Sequence, residues 1–175
     1  MTSLLAGQAF PKTNTEQLGG GTLSLGTPSG DYDWQMVVVY RGLHCPICKR
    51  YLTQLETLAP KFNALGVEVV AVSGDPQDKA AAMAQETGFG QAMGFGLSVA
   101  QMAGLGLYIS DPRSPKETDR PFPEPALFVI NAKGQIQILD VSNAPFARPD
   151  LESLVGGIKF VRENDYPIRG MHQPA

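Results

Sequence analysis

Met36-Val37-Val38-Val39-Tyr40-Arg41-Gly42-Leu43-His44-Cys45-Pro46-Ile47-Cys48-Lys49-Arg50 carries an apolar run straight into the chain's two cysteines, with a helix-like pattern directly after them. The run from Trp34 to Tyr40 is apolar and β-branched, as a strand covered on both faces requires, and such strands occur mainly in α/β sheets. Pro46 suits the first turn of a helix, where its missing N–H would have no intrahelical partner. Cys48, Tyr51, Leu52, Leu55, Leu58, Phe62 and Leu65 follow at helical spacing, and Gly66 ends the pattern. Pro60 removes one ladder bond inside it and predicts a kinked or loosened last stretch. Two thiols at a strand-to-helix junction point to redox chemistry, because unpaired N–H groups and the positive dipole end favour thiolate over thiol. Cys45 is the candidate nucleophile and Cys48 the candidate resolving thiol. That reading requires the Cys45 sulfur at the start of a helix, open to solvent, with the Cys48 sulfur one turn behind it.

Downstream, Val67 to Val72 reads as a second buried strand, Asp75 as an N-cap and Pro76 as the first residue of a helix reaching Thr87. The Gly-rich stretch from Gly88 to Leu107 admits a short helix around Ser98 to Ala103. The polar, proline-punctuated segment Asp111 to Pro123 is a surface loop that can border the site. Ala126–Ile130, the turn Asn131-Ala132-Lys133-Gly134 and Gln135–Val141 form a predicted hairpin. Last comes an amphipathic helix, capped by Asp150, with Leu151, Leu154, Val155, Ile158 and Val161 on one face. Upstream, only Thr22–Leu25 reads as a strand among the Gly-, Thr- and Ser-rich first residues.

A chain of 175 residues, 43% of them hydrophobic, suffices for one domain with its own core, without a disulfide or a structural metal. A net charge of -3 and 18% charged residues give no nucleic-acid or anionic-membrane footprint, so no nucleic-acid or membrane partner is expected. No apolar run approaches the roughly 18 residues of a membrane span, and Ser3-Leu4-Leu5-Ala6 lacks the parts of a signal peptide. The expected location is cytoplasmic, where a Cys-x-x-Cys pair is catalytic or metal-binding rather than a permanent staple. A closed zinc site would have to recruit both His44 and His172 to the two cysteines, although His44 adjoins Cys45. Two inert, buried cysteines are the plain alternative.

With these elements in this order, βαβα followed by a hairpin and a final helix, the chain resembles the thioredoxin superfamily. More closely it resembles the peroxiredoxin-like members of the alkyl hydroperoxide reductase/thiol-specific antioxidant family. The motifs that carry the likeness are Tyr-Arg-Gly-Leu-His-Cys-Pro-Ile-Cys from Tyr40, Val-Ser-Gly-Asp-Pro from Val72 and Pro-Ala-Leu-Phe-Val-Ile-Asn from Pro125. The resemblance implies an α/β, thioredoxin-like fold, a central mixed sheet flanked by helices. Residues 31–163 would form that domain, with an N-terminal extension at 1–30 and a C-terminal tail at 164–175. It implies Cys45 as peroxidatic nucleophile, Cys48 as the thiol that closes an intramolecular disulfide, and Pro125 as the cis-proline opposite the pair. It implies a thiol-dependent oxidoreductase with no metal or organic cofactor. Its partners would be a peroxide or disulfide substrate and an external thiol reductant such as thioredoxin, glutaredoxin or glutathione; it admits a homodimer. A thioredoxin-like disulfide reductase and a non-catalytic redox sensor or scaffold are the alternatives.

The departures from that family define what the structure must supply. Gly42 stands where peroxiredoxins carry threonine, Val38 where they carry proline, and Pro125 where the peroxide-orienting arginine is expected. Arg41 or Arg120 is the candidate replacement. Val39 takes the place of the buried thioredoxin aspartate, leaving Glu124 or Asp75 as the candidate base. His44 is read either as a thiolate-stabilising or groove-lining residue or as a partly exposed loop residue, and Lys49 and Arg50 as further cations near the thiolate.

Overall fold

The computed structural model describes residues 3–172. Nine strands and four helices run in the order β1 (Thr13–Gln17), β2 (Thr22–Leu25), β3 (Trp34–Val39), α1 (Pro46–Ala64), β4 (Val67–Val72), α2 (Gln77–Thr87), β5 (Ala92–Phe95), α3 (Val99–Gly104), β6 (Ile109–Ser110), β7 (Phe122–Pro123), β8 (Ala126–Ile130), β9 (Ile136–Val141) and α4 (Leu151–Glu163). Seven strands form one mixed sheet in the order β2-β1-β5-β4-β3-β8-β9, and β6 and β7 pair separately. The α/β architecture expected from the sequence, a mixed sheet flanked by helices, is the observed one.

The apolar run of β3 is explained by what covers it. Met36 and Val38 join one buried cluster with Val69 and Ala71 of β4 and Leu52, Leu55, Ala59 and Phe62 of α1. Val37 and Val39 join a second with Val70 and Val72, Phe128 and Ile130 of β8, and Leu97, Met102, Leu105 and Leu107 around α3. Successive strand side chains point to opposite faces, so a sheet covered on both sides leaves no position for a polar residue without a partner. Gln35 is the exception and is fully paired: its amide donates to Glu68 at 2.8 Å and to the carbonyls of Thr27 and Ser24.

α1 extends unbroken past Pro60 to Ala64, with Leu65 as its C-cap and Gly66 at φ 77° turning the chain into β4. The segment 1–30 contributes β1 and β2 to the main sheet: β1 pairs with β5 and β2 caps the edge. β1 went unread because Thr13-Asn14-Thr15-Glu16-Gln17 has no apolar alternation; two threonines face inward instead. β5 was hidden in the Gly-rich stretch, where Gly94 leaves room for Thr15 and Leu23 to approach. Helix α3 is present and closed by a capping box between Ser98 and Gln101. Asp75, expected to cap α2, does not: Pro76 is the N-cap residue, and Asp75 is 2% exposed and accepts the Leu43 N–H at 2.7 Å. Its carboxylate is spent on the cysteine-bearing loop.

β3, β4 and β5 are mutually parallel, β8 runs antiparallel to β3, and β9, antiparallel to β8, runs in the same direction as β3. The C-terminal ends of β3 and β4, the start of β8 and the end of β9 therefore share one edge of the sheet. That edge gathers the loops at 40–45, 73–76, 123–125 and 142–150.

Candidate active site

Cys45 is the N-cap of α1, with extended backbone, and its sulfur accepts the N–H of Cys48 at 3.2 Å. The helix therefore aims an otherwise unpaired N–H at the sulfur, as the strand-to-helix reading required. Both cysteines are free thiols. The Cys48 thiol and the Arg41 side chain both act on the Cys45 sulfur, each favouring its thiolate. Cys48 donates into Cys45, and that contact, together with the helix N–H and Arg41, outweighs burial and pulls the Cys45 thiol below its ordinary range. Burial and the negative sulfur beside it push Cys48 far up. The two shifts run in opposite directions, so Cys45 is the thiol of the pair that ionises first.

The expectation of an open sulfur is corrected. Cys45 is 1% exposed and Cys48 0%. The cause is the cap geometry: a side chain turned back to accept the N3 N–H joins the buried cluster formed by β3 and α1, against which Leu43, Ile47 and Tyr51 also pack.

Arg41 anchors the near side of the site. Its Nε lies 3.1 Å from Glu124 Oε2, its Nη2 3.9 Å from Glu117, and its guanidinium carbon sits 4.8 Å from the Phe122 ring centroid. Glu124 is 4% exposed and also accepts the Ser110 hydroxyl at 2.6 Å, so it is an anchor for Arg41 and for the β6–β7 pair. Arg120 turns away, bound to Asp119 at 2.8 Å. Lys49 is engaged with Glu86 at 2.6 Å and Arg50 is exposed. His44 packs edge-on against Phe122, centroids 4.7 Å apart, with Nε2 buried and unpartnered. Burial first, and then the Arg41 charge, lower its pKa, so the ring is neutral at neutral pH and adds no positive charge to the sulfur.

The threonine position of the family pattern is explained at Gly42. With φ +149°, a Cβ there would stand 2.8 Å from Asp75 Oδ1 and 3.0 Å from His44 Nδ1, so the Asp75 carboxylate fills the space a side chain would need. Pro125 is corrected as well. No peptide bond among the described residues is cis. The Pro125 carbonyl accepts the Ser142 N–H at 3.0 Å, which continues the β8–β9 ladder by one residue, and a trans link keeps that path extended. Pro125 lines a small cavity with Tyr51, Arg148 and Pro149.

Arg148, from the loop before α4, is the site residue that sequence reasoning missed. Its Nη2 donates to the Cys48 sulfur at 2.8 Å and its Nε to the Pro145 carbonyl at 2.7 Å. The guanidinium lies over the Tyr51 ring at 5.1 Å, and the Tyr51 hydroxyl donates to the Pro149 carbonyl at 2.9 Å. One hundred positions separate Arg148 from Cys48, and no local pattern links them; only the β9–α4 connection brings them together.

Residues 6–138 match the model of the AhpC/TSA family. The chain belongs to that family. Its fold is similar to solved peroxiredoxins. A peroxiredoxin-like protein from Aquifex aeolicus is 15% identical, with a TM-score of 0.75 over 92% of this chain and 90% of that one. The peroxidoxin BcpB from Mycobacterium tuberculosis is 16% identical, with a TM-score of 0.73 over 90% and 98%. AhpC from Enterococcus faecalis is 17% identical, with a TM-score of 0.72 over 97% and 99%. No curated protein matches the sequence. Within the AhpC/TSA family, this chain keeps the thioredoxin-like sheet and sets a Cys-x-x-Cys pair between two arginines from opposite sides. No described helix is long and apolar enough to cross a membrane.

Proposed function

We propose that this protein is a thiol peroxidase in which Cys45 attacks a small hydroperoxide and Cys48 closes an intramolecular disulfide. The observation that carries the reading is the Cys45 sulfur at the head of α1, accepting the Cys48 N–H at 3.2 Å, with Cys48 and Arg41 both favouring its thiolate. The Cys45 thiolate attacks the terminal peroxide oxygen; the S–O bond forms as the O–O bond breaks, and the departing alkoxide takes a proton from water. Arg41, held against Glu124 and Phe122, stabilises the charge as it moves from sulfur to oxygen. Cys48 sulfur then displaces hydroxide from the Cys45 sulfenic acid, and the proton that Cys48 loses converts that hydroxide to water. A cytoplasmic thiol reductant, such as thioredoxin, glutaredoxin or glutathione, returns the disulfide to two thiols.

Burial favours peroxide over a protein disulfide as substrate. With 1% of Cys45 exposed, a molecule the size of hydrogen peroxide needs only a slight opening of the packed loops, whereas a disulfide needs a groove. The test offers hydrogen peroxide, an organic hydroperoxide and insulin in parallel, with dithiothreitol as donor. Turnover of a peroxide, abolished by Cys45→Ser, is the expected result. Insulin reduction without peroxide turnover would replace the reading with a disulfide reductase, and no turnover with any of the three would leave a redox switch.

A further inference from the structure

Resting on the peroxidase reading, we infer that Arg148 is a catalytic residue of the second half-reaction: it holds Cys48 as the thiolate that displaces hydroxide from oxidised Cys45. The contact is direct. Arg148 Nη2 donates to the Cys48 sulfur at 2.8 Å, and Nη1 of the same planar group is buried with no hydrogen-bond partner, leaving one free donor beside the sulfur pair. The guanidinium is fixed on three sides, by the Pro145 carbonyl, by the Tyr51 ring and through Tyr51 by the Pro149 carbonyl. Among the described residues no carboxylate lies within salt-bridge distance, 4.0 Å, of it, which leaves its charge facing the sulfur pair. In the resting enzyme its charge helps to favour the Cys45 thiolate, while Cys48, the sulfur it touches, carries its proton.

Its effect on Cys48 emerges after the first step. In the reduced pair, three influences keep Cys48 protonated: burial, its hydrogen bond into Cys45 and the negative charge on Cys45. Oxidation converts Cys45 to an uncharged sulfenic acid and removes the second and third together. Arg148 and the Arg41 backbone N–H, both of which favour the Cys48 thiolate, are left opposing burial alone. The groups facing Cys48 are therefore Cys45 from its own helix, Arg41 and the protonated Tyr40 from the end of β3, and Arg148 from the loop before α4. The resolving thiol is held inactive until its target exists.

The sulfenic acid step balances without any added reagent. Cys48 sulfur bonds to Cys45 sulfur, the S–O bond breaks, and the proton shed by Cys48 joins the hydroxide as water. If closure is slow, a second hydroperoxide instead oxidises Cys45 to sulfinic acid and is itself reduced to alcohol or water. Losing a charge-assisted hydrogen bond cuts the Cys48 thiolate fraction roughly 10- to 100-fold, while the greater nucleophilicity of a more basic thiolate recovers about half of that on a logarithmic scale. Arg148→Met is therefore expected to slow disulfide closure by about 3- to 10-fold.

The experiment mixes reduced enzyme with one equivalent of hydrogen peroxide, quenches with a sulfenic-acid trap and N-ethylmaleimide at successive times, and reads the intact mass. Wild type should lose two hydrogens, as the disulfide. Arg148→Met should gain the trap on Cys45 before it closes, and under excess peroxide it should add two oxygens where wild type does not. Arg148→Lys, which keeps the charge, should restore part of the closure rate. Closure by Arg148→Met as fast as wild type overturns the inference. If the methionine variant does not fold, the pH profile of closure in Arg148→Lys decides: a midpoint higher than wild type supports the role and an unchanged one overturns it. Failure of wild type itself to react with peroxide overturns the peroxidase reading, a different outcome from normal Cys45 oxidation followed by undisturbed closure.

Discussion

Replacing Cys48 by alanine removes the thiol that donates to the Cys45 sulfur and leaves the helix N–H, 3.2 Å from that sulfur, in place. Hydrogen bonds to charged groups contribute about 1.5–3 kcal/mol, and one pH unit of midpoint corresponds to about 1.4 kcal/mol, so the Cys45 titration should move up by about one to two pH units. Cys48→Ser retains a donating hydroxyl at the same place and should move it by less than half as much. Arg148 cannot readily compensate, because Pro145 and Tyr51 hold it on the Cys48 side. The chain has two cysteines, so either variant contains a single thiol and thiolate absorbance at 240 nm against pH reports Cys45 alone. Wild type should show one step at low pH from Cys45, with Cys48 silent until strongly alkaline solution. An alanine variant that titrates with the wild-type midpoint would refute the shared-proton arrangement and leave the helix N–H and the two arginines as the source of the low value.

Asp150 caps α4 by accepting the Ser153 N–H at 2.8 Å, and Asp150→Ala should cost about 1 kcal/mol in urea unfolding without altering peroxide turnover per folded molecule. Leu52, fully buried between α1 and the sheet, should cost about 2–5 kcal/mol as alanine, read as a lower urea midpoint at constant slope. Asp75 has a carboxyl whose pKa burial raises above its unfolded value, so its contribution is most favourable below the unfolded pKa and is lost as pH rises through the folded one. Asp75→Asn keeps an acceptor for the Leu43 N–H and should therefore flatten the pH dependence of thermal stability between weakly acidic and neutral solution; an unchanged profile counts against this assignment. The Cys45 thiolate has the opposite sign. Its depressed pKa adds stability that is complete above the unfolded value of about 8.5 and is lost as pH falls through the folded value, so Cys45→Ser should remove that acid-side loss from the reduced protein's melting curve.

The fold was legible where a single physical pattern governed a segment. β3 and β4 announce themselves as unbroken apolar runs because both faces are covered, and α1 and α4 as 3.6-residue stripes with a proline or an aspartate at the start. β1 and β5 were not legible, since one buries threonines and the other is a four-residue edge-ward strand chosen for its small glycine rather than for hydrophobicity. At the site, Cys45, Cys48 and Arg41 lie within eight positions of one another and could be read as a unit. Arg148 could not, because its place beside Cys48 depends on how the β9–α4 loop folds over the sheet edge. Asp75 was misread for an instructive reason: an aspartate before a proline fits a helix cap, yet the loop amide of Leu43 lies closer and takes the carboxylate.

The charge distribution accounts for the departures from the family pattern at Gly42 and Pro125. A buried Asp75 carboxylate holds the Leu43 amide, and its oxygens occupy the space where a side chain at position 42 would stand, so a threonine there is excluded on steric grounds. In the proposed mechanism the positive charge expected just before β8 comes instead from Arg41, just after the neighbouring strand β3, which faces Glu124, one residue before Pro125, and favours the Cys45 thiolate. Glu124 offsets part of the Arg41 charge, whereas Arg148 has no carboxylate within salt-bridge distance among the described residues, so more of the Arg148 charge is left to act on the sulfur pair. Arg41 therefore serves to orient and to hydrogen-bond, and removing its charge by Arg41→Gln should weaken peroxide attack chiefly through lost positioning. Paired with Glu124→Gln, which spares the buried carboxylate left behind, the double variant should recover stability but not the attack rate. Recovery of both would mean that Arg41 acts on the fold and not on the peroxide.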